Sequence, residues 1–70
     1  MNDLVECRSE ANYAGRPTAL HWLGQRLTVA EVMASWRGPE GAHFRVRAQD
    51  DRVFELTYDE ARDAWHVKEM

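Results

Sequence analysis

The side chains with most chemical capacity in this chain are three histidines, one cysteine and twelve acids. Their spacing assembles no recognisable catalytic or metal-binding set. His21, His43 and His66 are widely scattered, and neither a Cys-x-x-Cys nor a His-x-x-x-His spacing occurs, whereas a structural zinc site needs four ligands. Ser9, Ser35 and Cys7 lack a nucleophile-elbow sequence and a base at recognisable spacing. Cys7, on an apolar face, reads as a small buried side chain. The paired acids Asp50-Asp51 and Asp59-Glu60 fall in predicted turns, where Asp is favoured by local hydrogen bonding. General acid–base catalysis would need one carboxyl in a desolvated cleft, for which so small a domain has little room. Asp50, Asp51, Asp59, Glu60 and Asp63 miss the calcium-loop spacing and its glycine. Gly38-Pro39-Glu40-Gly41 lacks the lysine and following helix of a phosphate cradle. These residues predict a chain that is not an enzyme and takes no cofactor or metal.

Recognition remains. Arg37, His43, Arg45 and Arg47 form a basic strip that, beside an exposed Trp36, would suit single-stranded nucleic acid. The competing reading is a solvated sheet face in which acids offset the cations, and surface ion pairs contribute only about 0–1 kcal/mol each. A net charge of −3 offers no wide field to draw in a phosphate backbone or an anionic membrane, which favours the solvated face. Trp22 and Trp65 read as core anchors of a minimal β fold. The placement of Trp36 depends on how the segment around it folds.

The elements that must position these residues fit in one domain, residues 1–70, near the lower limit of independent folding. Hydrophobic residues make up 44% and charged residues 30%, a globular composition. One cysteine permits no internal disulfide, and no signal-like or membrane-spanning apolar run occurs, so a cytoplasmic location is expected. Residues 4–13 alternate loosely, with Val5, Cys7, Ser9, Ala11 and Tyr13 on one face of an edge-like strand. Gly15-Arg16-Pro17-Thr18 reads as a turn. Ala19–Leu23 then forms a strand with Leu20 and Trp22 on one face. A hairpin through Gly24-Gln25 leads into Arg26–Val29, with Leu27 and Val29 inward. Residues 29–37 admit two readings. Thr28-Val29-Ala30-Glu31 resembles a capping box opening a short helix, with Val29, Val32, Met33 and Trp36 as its stripe. The other reading is a long strand bulged near Ala30-Glu31, after which Val32, Ala34 and Trp36 resume alternation. The flanking hairpin and the Gly38–Gly41 turn favour the strand.

A three-stranded meander from His43 to Lys68 follows. Residues opposite one another on paired strands share a face. A loop of Asp50-Asp51 alone would set Glu55 against Val46. Counting Arg52 into the loop instead opposes Phe44 to Tyr58, Val46 to Leu56 and Ala48 to Phe54. The turn from Asp59 to Ala64 opposes Tyr58 to Trp65 and Leu56 to Val67. In this register Arg47, Glu55 and Lys68 form one outer row, and Arg45, Thr57 and His66 the next.

The order Tyr13, Arg16-Pro17, Trp22, Gly24, Val29, Val32, Trp36, then Phe44-Arg45-Val46-Arg47, Phe54 to Asp59 and Trp65, resembles an uncharacterised bacterial domain-of-unknown-function family of short β-barrel-like proteins. Segments related to that family occur at the ends of proteins that resemble translesion DNA polymerases. The resemblance covers about Tyr13 to Val67 and implies a small β-barrel-like fold and a DNA-repair setting, with no catalytic residue to carry over. The expected architecture is a mostly β, five- or six-stranded small antiparallel barrel, SH3-like or OB-like. A curved antiparallel sheet with one short helix at 29–37 is its alternative. The expected function is a non-enzymatic interaction module that binds an unidentified protein or a second copy of itself through an edge strand. The alternative is a weak single-stranded nucleic-acid-binding accessory protein, using Arg37, His43, Arg45, Arg47 and Trp36.

Overall fold

Apolar residues at every second position put one side of a strand into the core and the other into solvent. The computed structural model describes residues 4–10 and 13–70, with side chains described for 4–7 and 16–70. Six strands follow in chain order: β1 (Val5–Glu10), β2 (Tyr13–Trp22), β3 (Gln25–Arg37), β4 (Ala42–Ala48), β5 (Val53–Asp59) and β6 (Ala64–Glu69). Each pairs antiparallel with the next, and the sheet curls into a small half-barrel, the mostly β architecture expected. Among the described residues there is no helix, so residues 29–37 take the strand alternative.

Strand β3 causes the curl. Its first residues pair with β2, from Gln25 opposite Trp22 to Thr28 opposite Ala19. Its remainder pairs with β4, from Val29 opposite Ala48 to Arg37 opposite Ala42. The β4 ladder shifts between Val29 and Glu31 and again between Val32 and Ala34. A bulge bends its strand and increases the local twist, so two bulges let one long strand serve two differently oriented neighbours. The second bulge corrects the simple alternation expected after Ala30-Glu31. Val32 lies opposite Val46, but Trp36 lies opposite His43 on the outer face.

Turn chemistry fixes the hairpins. Leu23 and Gly24 both have positive φ, 51° and 79°, as the two-residue turn that matches strand twist requires. Asp51, with φ of 71°, closes the β4–β5 loop, where the Ala48 and Asp51 amides donate to the Arg52 and Ala48 carbonyls at 2.8 and 3.0 Å. The loop is therefore Gln49-Asp50-Asp51 and not Asp50-Asp51-Arg52. Asp tolerates the left-handed conformation better than Arg, and the Asp50 carboxylate accepts from the Arg52 amide at 3.2 Å. The meander register moves by two residues: Phe44 faces Leu56, Val46 faces Phe54 and Arg45 faces Glu55. Between β5 and β6 the expected pairs form, Tyr58 with Trp65 and Leu56 with Val67.

Gly15-Arg16-Pro17-Thr18 lies inside β2 and is not a turn. The β1–β2 ladder shifts between Glu6 and Cys7, so Pro17, which has no amide hydrogen, sits beside a bulge opposite Cys7. The Thr18 hydroxyl donates to the Glu6 carbonyl at 3.2 Å. Ala11 lies outside the described residues, as do the side chains of Ser9 and Tyr13, so the expected face of β1 is described only at its start.

Phe54, Leu20, Leu56 and Val46 are the largest fully buried side chains. Each contributes about 1.5–3 kcal/mol by leaving water. Trp22 packs edge-on against Phe54, with ring centroids 5.5 Å apart, and Trp65 packs against Phe44 and Tyr58 at 6.0 and 5.2 Å. Both are partly buried against the core, as their sequence reading expects. No helix among the described residues is long and apolar enough to cross a membrane.

Candidate interaction surface

The outer faces of β3 and β4 bring four residues of the expected strip together, Trp36, His43, Arg45 and Arg47, whereas Arg37, opposite Ala42, falls on the other face of the sheet. Trp36 is 41% exposed and stacks on His43, with centroids 5.3 Å apart and planes 5° from parallel. The Arg45 guanidinium carbon lies 5.9 Å from the Trp36 ring centroid. Each of the basic side chains also has an acidic partner. Arg37 pairs with Glu60, His43 bonds Glu40 at 2.6 Å, and Arg45 bonds Glu55 at 3.2 Å. Arg47 reaches both Glu31 and Asp51 at 3.3 Å. The His43 hydrogen bond holds the Glu40 carboxyl below its usual pKa range. The corrected register places Arg45, Glu55 and Lys68 in one row, and His43, Thr57 and His66 in the next. Glu55 thus neutralises Arg45 and not Arg47. The strip is real as geometry, and its charge is largely answered within the protein.

A second outer cluster joins the other half of the sheet. Glu6 of β1 accepts from Arg26 of β3 at 2.8 and 2.9 Å and bonds His21 of β2 at 3.0 Å. The Arg26 hydrogen bond, then that of His21, pulls the Glu6 carboxyl down to about 2. Sequence reading passed over this cluster because it needs the pairing of three strands, and the mistaken turn at Gly15–Thr18 hid that pairing.

The surface with unsatisfied bonding capacity is the seam between the outermost strands. No ladder joins β1 to β6 among the described residues. The Met70 amide donates to the Val53 carbonyl at 2.9 Å. Antiparallel pairs alternate between bonded and non-bonded, so Ala64, His66 and Lys68 bond to β5. Trp65, Val67 and Glu69 then turn their amide and carbonyl groups to the open edge. The β5–β6 ladder runs without a register shift, and β6 contains no proline. In contrast, β1 is blunted by shifts at Glu6/Cys7 and Arg8/Glu10. A bulged edge is a poor template for another strand, and a regular edge is a good one.

A groove of about 270 Å³ lies along this seam, lined by Val5, Cys7, Tyr58, Asp63 and Trp65. The Tyr58 hydroxyl donates to the Asp63 carboxylate, which pushes the phenol pKa up. Cys7 is exposed at the groove, which corrects its expected burial. Partial desolvation raises its thiol pKa, so it stays protonated near neutral pH and is a poor nucleophile. Among the described residues no three His, Cys, Asp or Glu side chains converge on a metal-sized site. The chain matches no family model, no curated protein and no solved structure.

Proposed function

We propose that this chain is a non-enzymatic interaction module that binds an extended segment by strand addition to β6. The observation that carries the reading is the contrast between the two edges: the β6 edge is regular and, among the described residues, carries no further strand, whereas β1 is bulged. Main-chain bonds to Trp65, Val67 and Glu69 would give affinity. The half-buried inner side chains Trp65 and Val67, with the seam groove beside them, would select alternate side chains of the added strand. A single cysteine without an internal partner suits a reducing, cytoplasmic setting.

A single-stranded nucleic-acid role in DNA repair would instead use Trp36, Arg45 and Arg47. The acidic partners of those cations support strand addition over it, because a phosphate backbone would have to displace Glu31, Asp51 and Glu55.

The test uses a displayed library of short extended peptides, selected on the wild-type protein and counter-screened on Val67→Pro. Proline at this position removes an amide hydrogen that faces the open edge and leaves the β5 ladder intact. Selection of peptides with alternating β-branched or aromatic residues, whose binding Val67→Pro abolishes, is the expected result. Selected peptides that bind Val67→Pro unchanged would contradict strand addition at this edge.

A further inference from the structure

We infer that β6 pairs with β6 of a second copy, forming a two-fold dimer whose axis passes beside His66. The inference rests on strand addition at β6 and names its occupant. Only Trp65, Val67 and Glu69 direct backbone groups outward, so an antiparallel partner must match odd-numbered residues to odd-numbered ones. Three symmetric alignments within β6 bond two or more of these residues, and the one with Lys68 on the axis is disfavoured because it sets two like charges against each other. Placing Val67 on the axis sets Lys68 against His66 of the second copy, and sets the Glu69 carboxylate against Trp65, each contact twice. Placing His66 on the axis sets Trp65 against Val67 of the second copy on each side, an aromatic to β-branched pair of the kind that stabilises antiparallel ladders. Lys68 then faces Ala64 of the second copy, and the two His66 rings meet across the axis on the outer face.

This last alignment satisfies the outward amides and carbonyls of Trp65 and Val67 in both copies. It ends where it must, because Asp63, with φ of 51°, turns the chain out of the strand before it could pair with Glu69. Its inner side carries Val67 of the second copy to Trp65, which lines the seam groove with Val5. A single pair of short strands buries well under the roughly 1,200 Å² of a stable interface, so the dimer is weak and concentration-dependent.

The test exploits the symmetry. Sedimentation of the wild-type chain, from about 10 μM to about 1 mM, gives a monomer–dimer equilibrium in the upper part of that range. His66→Glu and His66→Lys each place like charges across the axis and raise Kd by about tenfold or more. An equimolar mixture of the two variants pairs opposite charges and recovers wild-type affinity. His66 is exposed and its side chain faces outward, so both substitutions leave the core untouched. Amide exchange separates the two ideas. If the amides of Trp65 and Val67 slow with concentration but the mixture fails to recover, strand addition stands and this alignment falls. A wild-type chain that stays monomeric at about 1 mM overturns the dimer while leaving peptide binding at β6 to be judged by the library selection.

Discussion

Glu6 ties together three strands, and its ionisation makes that tie pH-dependent. Its folded pKa of about 2 lies below the ordinary value of 4.5 because Arg26 and His21 hydrogen-bond the charged form. A depressed carboxyl contributes stability that is fully present above the unfolded pKa and is lost as pH falls through the folded one. The contribution of Glu6 therefore fades from about pH 4.5 to about pH 2. Carboxyl chemical shifts should show Glu6 titrating near the lower end of that window. Glu6→Gln should lower the melting temperature at pH 7 and flatten its acid dependence. A Glu6 midpoint in the ordinary carboxylate range would contradict the cluster. The other residue-scale departure is Leu23, 88% exposed yet held at φ of 51°. A left-handed conformation costs a non-glycine residue roughly 1–2 kcal/mol, and Asn suffers less. Leu23→Asn should therefore stabilise the hairpin by about 1 kcal/mol in denaturant unfolding. Gly24→Ala, at φ of 79°, should destabilise it by a similar amount.

The strands themselves were legible in the sequence wherever alternation was strict. β4, β5 and β6 follow from Phe44-x-Val46, Phe54-x-Leu56 and Trp65-x-Val67, and the β5–β6 register follows from aligning those faces. What alternation could not decide is a slip of two residues, because such a slip keeps every side chain on its face. The choice between loops ending at Asp51 and at Arg52 rests on which residue goes left-handed, and the Asp tolerance for that conformation was the available signal. Bulges were legible in part. The one near Ala30-Glu31 was visible as broken alternation, whereas the shift at Met33 was hidden because Val32, Ala34 and Trp36 continue an alternating pattern. In β2 the pair Gly15 and Pro17 imitated a turn. A proline at a bulged pairing with an edge strand satisfies the same backbone restriction.

At the scale of the molecule, the half-barrel leaves one problem that its local chemistry does not solve. Closing a sheet on itself removes its edges, but among the described residues β1 and β6 stay unpaired with each other across a groove. Register shifts interrupt the β1 edge, whereas the β5–β6 ladder runs without one. The candidate basic strip was legible as a set of residues, and the structure does bring Trp36, His43 and Arg45 together. Its neutralisation was only half legible, because the acids that answer Arg37, Arg45 and Arg47 come from two strands and two turns. The edge of β6 was invisible in the sequence, since being outermost is a property of sheet order and not of the strand.

Amide hydrogen exchange along β6 in dilute solution tests that edge most directly. An open edge requires alternation within one strand: the His66 and Lys68 amides, bonded to β5, exchange slowly, while those of Trp65 and Val67 exchange fast. Equal protection at all four positions in the dilute monomer would mean that β6 is already paired, and would contradict the open edge on which the proposed function stands.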